Sequence, residues 1–295
     1  MSDYILTCCS TADLSKELFE TRQIPVVYFH FELDGVSYLD DCGETMSSEE
    51  LFRRMDAGAS TKTSQVSVGE YVDFWRPFLE QGKDVLHVSL SSGISGTYQS
   101  AVLAKEDLEK DFPDRKIYVV DSYGASSGYG LFVDKLADLR DSGMGADELY
   151  DWANKNRLKL HHWFFSTDLT YYIRGGRVSK GAGLVGQMLN ICPFLNVDYV
   201  GKLITREKLR GKKKAMLRTV EMMKLHADNA ADYAGKCFIS HSACLEDAKK
   251  LAEMIEKEFP HLDGKVQIFP IGATIGSHTG PGTIATFFWG DERKD

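Results

Sequence analysis

Between a β-rich run, Val85 to Leu90, and a helical pattern starting at Thr97 lies Ser91-Ser92-Gly93-Ile94-Ser95-Gly96-Thr97. A strand-to-helix junction leaves backbone N–H groups unpaired and carries the positive end of the helix dipole. Glycine lets an anion approach the backbone closely, and serine hydroxyls add donors. The segment can therefore hold an anionic group. Read alone, it serves equally as a plain N-cap with a tight turn. Thr61-Lys62-Thr63-Ser64-Gln65 is a second hydroxyl-rich stretch, within a polar loop over 62–67 that precedes a helix near Gly69 to Leu79. Its alternative is a solvated loop.

A third segment, residues 271–282, places Gly272, Gly276, Gly280 and Gly282 around His278. That glycine density implies special backbone geometry. The histidine could donate to a carboxylate or be protonated by it, because imidazole titrates near neutrality. It could also be an ordinary turn residue. A fourth segment, Lys202 to Arg218, gathers eight basic residues, Arg210 among them, against one acid, Glu207. It reads as a solvated helix face or as a docking surface for an acidic or phosphate-bearing partner.

The elements that must position these residues alternate in the first half. Tyr4 to Cys8 reads as a buried strand, Leu14 to Arg22 as a helix, and Val26 to Leu33 as β-rich before an Asp34-Gly35 hairpin turn. Ser47 and Glu50 have capping-box spacing ahead of a helix to about Ala57. Val85 to Leu90, a helix from Thr97, Ile117 to Val120, and helices over 126–140 and 146–156 continue the rhythm. Short connections of this kind argue for a parallel sheet covered by helices, with ligands at the carboxyl ends of strands. The loops at 91–96 and 121–122 lie at such ends.

The second half is less regular. Strand signals at His162 to Ser166, Phe238 to Ser240, Val266 to Pro270 and Ile284 to Trp289 mix with a hairpin over 198–206 turning at Gly201. Helices are expected over 184–191, 212–226 and 245–259. The fold class is therefore α/β, an N-terminal mostly parallel sheet covered by helices, with a second α+β domain. The expected division is 1–160 and 161–295.

The chain has a formal net charge of −8, which opposes non-specific binding to nucleic acid or an anionic membrane. No apolar run approaches the roughly 18 residues of a membrane span, and the first residues lack a signal-peptide pattern. Six cysteines form no Cys-x-x-Cys pair, so a reducing cytoplasm is expected, with Cys8 and Cys9 as buried strand thiols. No metal-ligand cluster is visible, since His161 and His162 would face opposite sides of a strand.

Together, several motifs in order resemble the DegV family over nearly the whole chain. They are Ser10-Thr11-Ala12-Asp13-Leu14, Thr63-Ser64-Gln65, the run from Ser91 to Ala101, Asp121-Ser122, Gly175-Gly176-Arg177-Val178, and the Ile275 to Gly282 ending. The resemblance implies a DegV-like, two-domain carrier that encloses one long-chain fatty acid and has no catalysis, cofactor or metal of its own. It implies a carboxylate held by Thr63 and Ser95, with Ser92, Gly93 and Gly96 nearby and His278 close to the same group. It further implies an acyl-carrying subunit of a bacterial fatty acid kinase, whose partner supplies ATP and phosphorylates the bound carboxylate. Arg177 and Arg210 are then the residues for kinase docking or phosphate handling. Two departures from the family pattern fall at Cys8-Cys9, where an acidic residue is usual, and at Val66, where proline is usual.

The tail of such a ligand needs an apolar channel. Met188, Leu189, Ile191, Phe194 and Leu195 could line it, or could be ordinary core. A serine hydrolase built from Ser95, His278 and Asp121 is the main rival, but Gly93-Ile94-Ser95-Gly96-Thr97 lacks the second glycine of a nucleophile elbow. A nucleotide binder is opposed by the absence of a P-loop pattern.

Overall fold

A computed structural model describes residues 4–179 and 190–294. The helix expected over 184–191, with Met188 and Leu189, lies almost wholly outside the described residues. Strand β1 (Tyr4–Cys9) is followed by α1 (Lys16–Thr21), β2 (Val26–Val27), β3 (His30–Leu33) and β4 (Val36–Leu39). Next come α2 (Ser48–Asp56), β5 (Thr61–Ser64), α3 (Val68–Glu80), β6 (Asp84–Ser89), α4 (Thr97–Asp111), β7 (Ile117–Asp121), α5 (Ser126–Asp141) and α6 (Ala146–Asn156).

The first sheet has the order β2-β1-β6-β7 and is wholly parallel. Its central strands are buried almost throughout because helices cover both faces, which is why their apolar residues do not alternate with exposed polar ones. The expected parallel sheet is therefore present. Cys8 and Cys9 end β1 as fully buried thiols.

A small antiparallel sheet, β4-β3-β5, sits beside it. Asp34 and Gly35 turn β3 into β4 with φ of 52° and 80°, the left-handed pair that a two-residue hairpin demands. The polar loop expected over 62–67 is corrected here: Thr61–Ser64 is an edge strand paired with β3, Thr63 opposite Phe31. Its hydroxyls and lysine alternate between the two faces, so hydrophobicity gave no period-2 signal. The capping box also moves. Ser47 caps α2, but the Glu50 carboxylate turns to Arg53 instead of reaching back. The reciprocal box is Ser67 with Glu70, opening α3.

The second sheet is built from β8 (Leu160–Phe165), β9 (Ile191–Val197), β10 (Leu203–Arg210), β11 (Phe238–His241), β12 (Gln267–Pro270) and β13 (Ile284–Trp289). Its order is β10-β9-β8-β13-β11-β12, and only the β11–β12 pair is parallel. Helices α7 (Thr170–Arg174), α8 (Lys212–His226), α9 (Leu245–Glu258) and α10 (Ala273–Thr279) complete the chain. The glycine-rich segment thus contains a short helix, α10, where only a special turn was expected. None of these helices is long and apolar enough to cross a membrane.

Helix α5 lies between the two large sheets, touching β8, β11 and β13 on one side and the turn after β1 on the other. Small residues make this possible. A Cβ at Gly128 would come within 2.3 Å of Phe287 and 2.6 Å of the His162 ring, and one at Gly130 within 2.5 Å of the Ala12 carbonyl. Gly128→Ala is therefore expected to lower unfolding free energy by about 1–3 kcal/mol, the usual cost of overpacking. Gly69→Ala, where a Cβ meets nothing within 4 Å, should leave stability unchanged or slightly raised. Urea denaturation of the two variants checks the contrast.

Candidate functional site

A largely apolar cavity lies between the two large sheets and is closed on one side by α10. It encloses about 190 Å³ of space in which the centre of a water molecule can move. Its apolar wall includes Phe29, Leu90, Phe164, Val197, Ile275 and Phe287.

Helix α10 is fixed at its start by Asp40, whose carboxylate accepts the N–H groups of Ala273 (3.2 Å) and Thr274 (3.0 Å). Burial pushes Asp40 above its ordinary value, and these bonds oppose the rise. The helix then carries His278 to β5. The Thr63 hydroxyl and His278 Nε2 are 2.7 Å apart. Gly175 closes over the other ring nitrogen, where a Cβ would lie 2.2 Å from Nδ1. Burial, then the charge of Arg177, brings the imidazole down to about 4, so it is neutral at physiological pH.

Arg177 donates from Nε to the Ile94 carbonyl (3.1 Å) and from Nη1 to the Gly175 carbonyl (2.6 Å). It thereby ties the loop after α7 to the loop before α4. Burial lowers its pKa, but a guanidinium stays charged. Arg177 is the one permanently charged side chain among the described lining residues. Ser95 and Gly96 line the cavity at the start of α4, where the Ser95 hydroxyl accepts the Thr97 N–H at 3.2 Å.

Thr63, Ser95, Gly96, His278 and Arg177 are thus brought to one cavity from four separate stretches of chain. Ser92, Gly93 and Arg210 are not among its walls. The Ser92 N–H donates to Asp121, and Gly93 packs onto the turn after β9, where a Cβ would lie 2.5 Å from the Gly201 carbonyl. Both residues are consumed in shaping the loop. Arg210 ends β10 on the surface. The tail residues also differ from expectation. Phe194 packs in a second core with Trp163, and Ile191 and Leu195 are not in the wall. The wall instead takes alternate residues of two strands, His162 with Phe164 and Ala285 with Phe287.

The hydrolase relay is not assembled. His278 pairs with Thr63, the Asp121 carboxylate accepts from the N–H groups of Ser92 and Tyr123, and among the described residues no hydrogen bond joins His278 to Ser95 or Asp121.

The model of the family described as "Uncharacterised protein, DegV family" matches residues 7–291. A DegV domain-containing protein of Clostridium perfringens is 34% identical over 294 residues, covering 100% of both chains. The chain belongs to the DegV family. Among solved structures, a DegV family protein of Thermus thermophilus, described for its fatty acid binding, is 27% identical with a TM-score of 0.86, covering 98% of this chain and 99% of that one. The fatty acid kinase B3 protein of Streptococcus pneumoniae, loaded with linoleic acid, shares the fold with a TM-score of 0.84 at 23% identity over 99% of this chain and 100% of that one. The DegV fold expected from the motifs is thereby confirmed.

In this DegV protein the imidazole of His278 should titrate near 4. Arg177→Ala should raise that value, yet leave it below the ordinary 6.5, because burial is the larger cause. The sign follows from linkage. A depressed histidine stabilises the fold above about 6.5 and loses that contribution as pH falls toward 4. Long-range ¹H–¹⁵N NMR of the ring nitrogens across pH 3.5–8 measures both values.

Proposed function

We propose that this chain encloses a long-chain fatty acid in the cavity, with the carboxylate held by Thr63 and Ser95 and with Gly96 and His278 beside it. One observation carries the proposal: a largely apolar cavity to which elements far apart in sequence bring the His278 imidazole, the Thr63 and Ser95 hydroxyls and the Arg177 guanidinium. An ionised carboxylate in an apolar space is very costly unless several donors meet it. With His278 Nε2–H donating to the Thr63 oxygen, the Thr63 and Ser95 hydroxyls can each donate one bond to the carboxylate, and Arg177 adds a favourable field. The tail then supplies most of the affinity. Each buried CH₂ contributes roughly 0.8 kcal/mol, so about fourteen of them give on the order of 11 kcal/mol before ordering costs. Ser92 and Gly93 take a supporting part, by holding the loop that presents Ser95.

The chain has no catalysis of its own in this reading. It presents the carboxylate to a cytoplasmic, ATP-dependent kinase, which converts it to an acyl phosphate. Arg177, at the cavity, suits phosphate handling, whereas exposed Arg210 suits docking of the kinase. The family resemblance supports this step, and so does the basic surface around Arg210, where Lys208, Lys213 and Lys214 are also exposed.

Protein purified from a bacterial host should carry fatty acid, seen by native mass spectrometry or lipid extraction. The Thr63→Val/Ser95→Ala double variant should keep the native fold at reduced stability, because the bond to His278 is lost, and bind fatty acid at least tenfold more weakly, about 1.4 kcal/mol or more. Unchanged affinity in that variant would refute the head-group assignment. Arg210→Ala should keep its lipid and lose acyl-phosphate formation with a cognate kinase. Loss of lipid instead would move Arg210 from docking to the pocket.

A further inference from the structure

Strand β8 presents His162 and Phe164 to the acyl cavity, and its alternate residues His161 and Trp163 to a separate groove beneath α8. At the end of that groove three ligand-type atoms converge. His161 Nε2 lies 3.0 Å from Asp291 Oδ1, and His226 Nδ1 lies 3.1 Å from the same oxygen. All three atoms are within 4.8 Å of one another. We propose that His161, His226 and Asp291 form a binding site for a divalent transition-metal ion of the zinc type.

The backbone holds the three residues in place before any ion arrives. His226 ends α8, and Asp291 follows β13. The two segments are clamped by a bridge between Ala227 and Gly290, by the Asp291 N–H on the His226 carbonyl (2.9 Å), and by the Asp228 N–H on the Trp289 carbonyl (3.1 Å). The Gly290 N–H reaches the Lys159 carbonyl (2.8 Å), which ties the clamp to the start of β8. Only glycine fits at 290, since a Cβ there would lie 2.0 Å from the His226 carbonyl oxygen. The rings are equally constrained. His161 stacks against Phe288 and His226, with centroids 5.3 Å and 4.9 Å away, and His226 stacks on Trp163 at 5.7 Å.

The chemistry selects the class of ion. Two imidazole nitrogens and one carboxylate suit zinc, nickel or copper, whereas magnesium and calcium take oxygen ligands. With bonds of about 2.0–2.2 Å, the ligand atoms of a tetrahedral site lie about 3.3–3.5 Å apart, so each nitrogen needs to move from Asp291 Oδ1 by only a few tenths of an ångström, and the two nitrogens, within 4.8 Å of each other, complete the triangle. The Asp291 side chain is 63% exposed, which leaves the fourth position to water. An imidazole binds a metal in its neutral form through one ring nitrogen, here Nε2 of His161. Its Nε2 also faces the Asp291 carbonyl at 2.9 Å, so metal binding moves the ring proton to Nδ1. Basic Arg206, Arg218, Arg293 and Lys294 line the groove, but Arg206 bonds Asn196, Arg218 pairs with Glu207 and Glu221, and the Arg293 guanidinium points to the carbonyls of Val197, Asp198, Tyr123 and Arg157. Acidic Glu207 and Glu292 line the same groove.

The test uses untagged, metal-stripped full-length protein titrated with Zn²⁺ against a chromogenic chelator at pH 7.5. One ion per chain should bind with a Kd of about 10 μM or tighter. His226→Gln and Asp291→Asn, each checked for native circular dichroism, should weaken binding at least tenfold. Zn²⁺ should raise the melting temperature of the native protein and of neither variant. Co²⁺ should give the visible absorption of a tetrahedral site in the native protein alone. Failure of the native protein to bind Zn²⁺ at about 100 μM overturns the proposal, as does binding that both variants retain. A lower melting temperature in the variants without metal binding by the native chain makes the trio a hydrogen-bonded staple and overturns it too.

Discussion

The hydrogen bond between Thr63 and His278 joins positions 215 residues apart, and the arrangement of the cavity depends on it. It fastens an edge strand of the small sheet to the end of α10. The Thr61 hydroxyl adds a bond to the Ser277 carbonyl (3.3 Å), and Phe31, Phe52 and Ile271 pack the same junction. A directional bond between half-buried polar groups does what apolar packing cannot. It fixes the rotation of α10 and the direction of the imidazole, because a hydrogen bond constrains angle as well as distance. Asp40 performs the matching task at the other end of the same helix, by accepting two N–H groups of its first turn. A seven-residue helix has little stability alone, so both ends must be held by the rest of the protein.

How much of this was legible in the sequence depends on the kind of signal involved. The parallel strands β1, β6 and β7 were readable because a doubly covered sheet needs unbroken apolar runs. Helices α6 and α8 and strand β13 were readable to the residue, since their patterns are bounded by turn-forming or charged segments. Strand β5 was not, because Thr-Lys-Thr-Ser has no apolar face and pairs only through its backbone. Helix α10 was hidden by its glycines. Gly276 is there because a Cβ would meet Phe52 at 2.8 Å, a tertiary demand that no local pattern reveals.

The site divides in the same way. Thr63, Ser95, Gly96, Arg177 and His278 were legible as motifs, but their convergence was not, because it is made by contacts between loops and not by spacing along the chain. Ser92 and Gly93 belong to the same motif as Ser95 and have different duties. One N–H holds Asp121, and one bare Cα admits Gly201. A run of small residues shows that the backbone is crowded, and only coordinates show which member faces the crowd and which the cavity. The cavity wall was missed for a simpler reason. Its residues lie on strands buried on both faces, where the apolar pattern does not say which face is hollow.

Strand β8 states that problem most sharply. All six of its residues are buried, so polarity cannot orient it. Yet its faces differ in chemistry. His162 and Phe164 border the cavity, and among the described residues His162 Nε2 has no partner, its charge suppressed by burial well below the ordinary value. An unpaired buried nitrogen costs free energy that an apolar residue would not. It is tolerated against the bare backbone of Gly124 and Gly128, where the ring packs closely. On the opposite face His161 has the Asp291 carbonyl and carboxylate within hydrogen-bonding reach. Two adjacent histidines of one strand are thus held neutral by the same desolvation and differ only in what they can bond. Ring position, set by the two-residue period of the strand, therefore separates a cavity wall from a ligand cluster across a single layer of backbone.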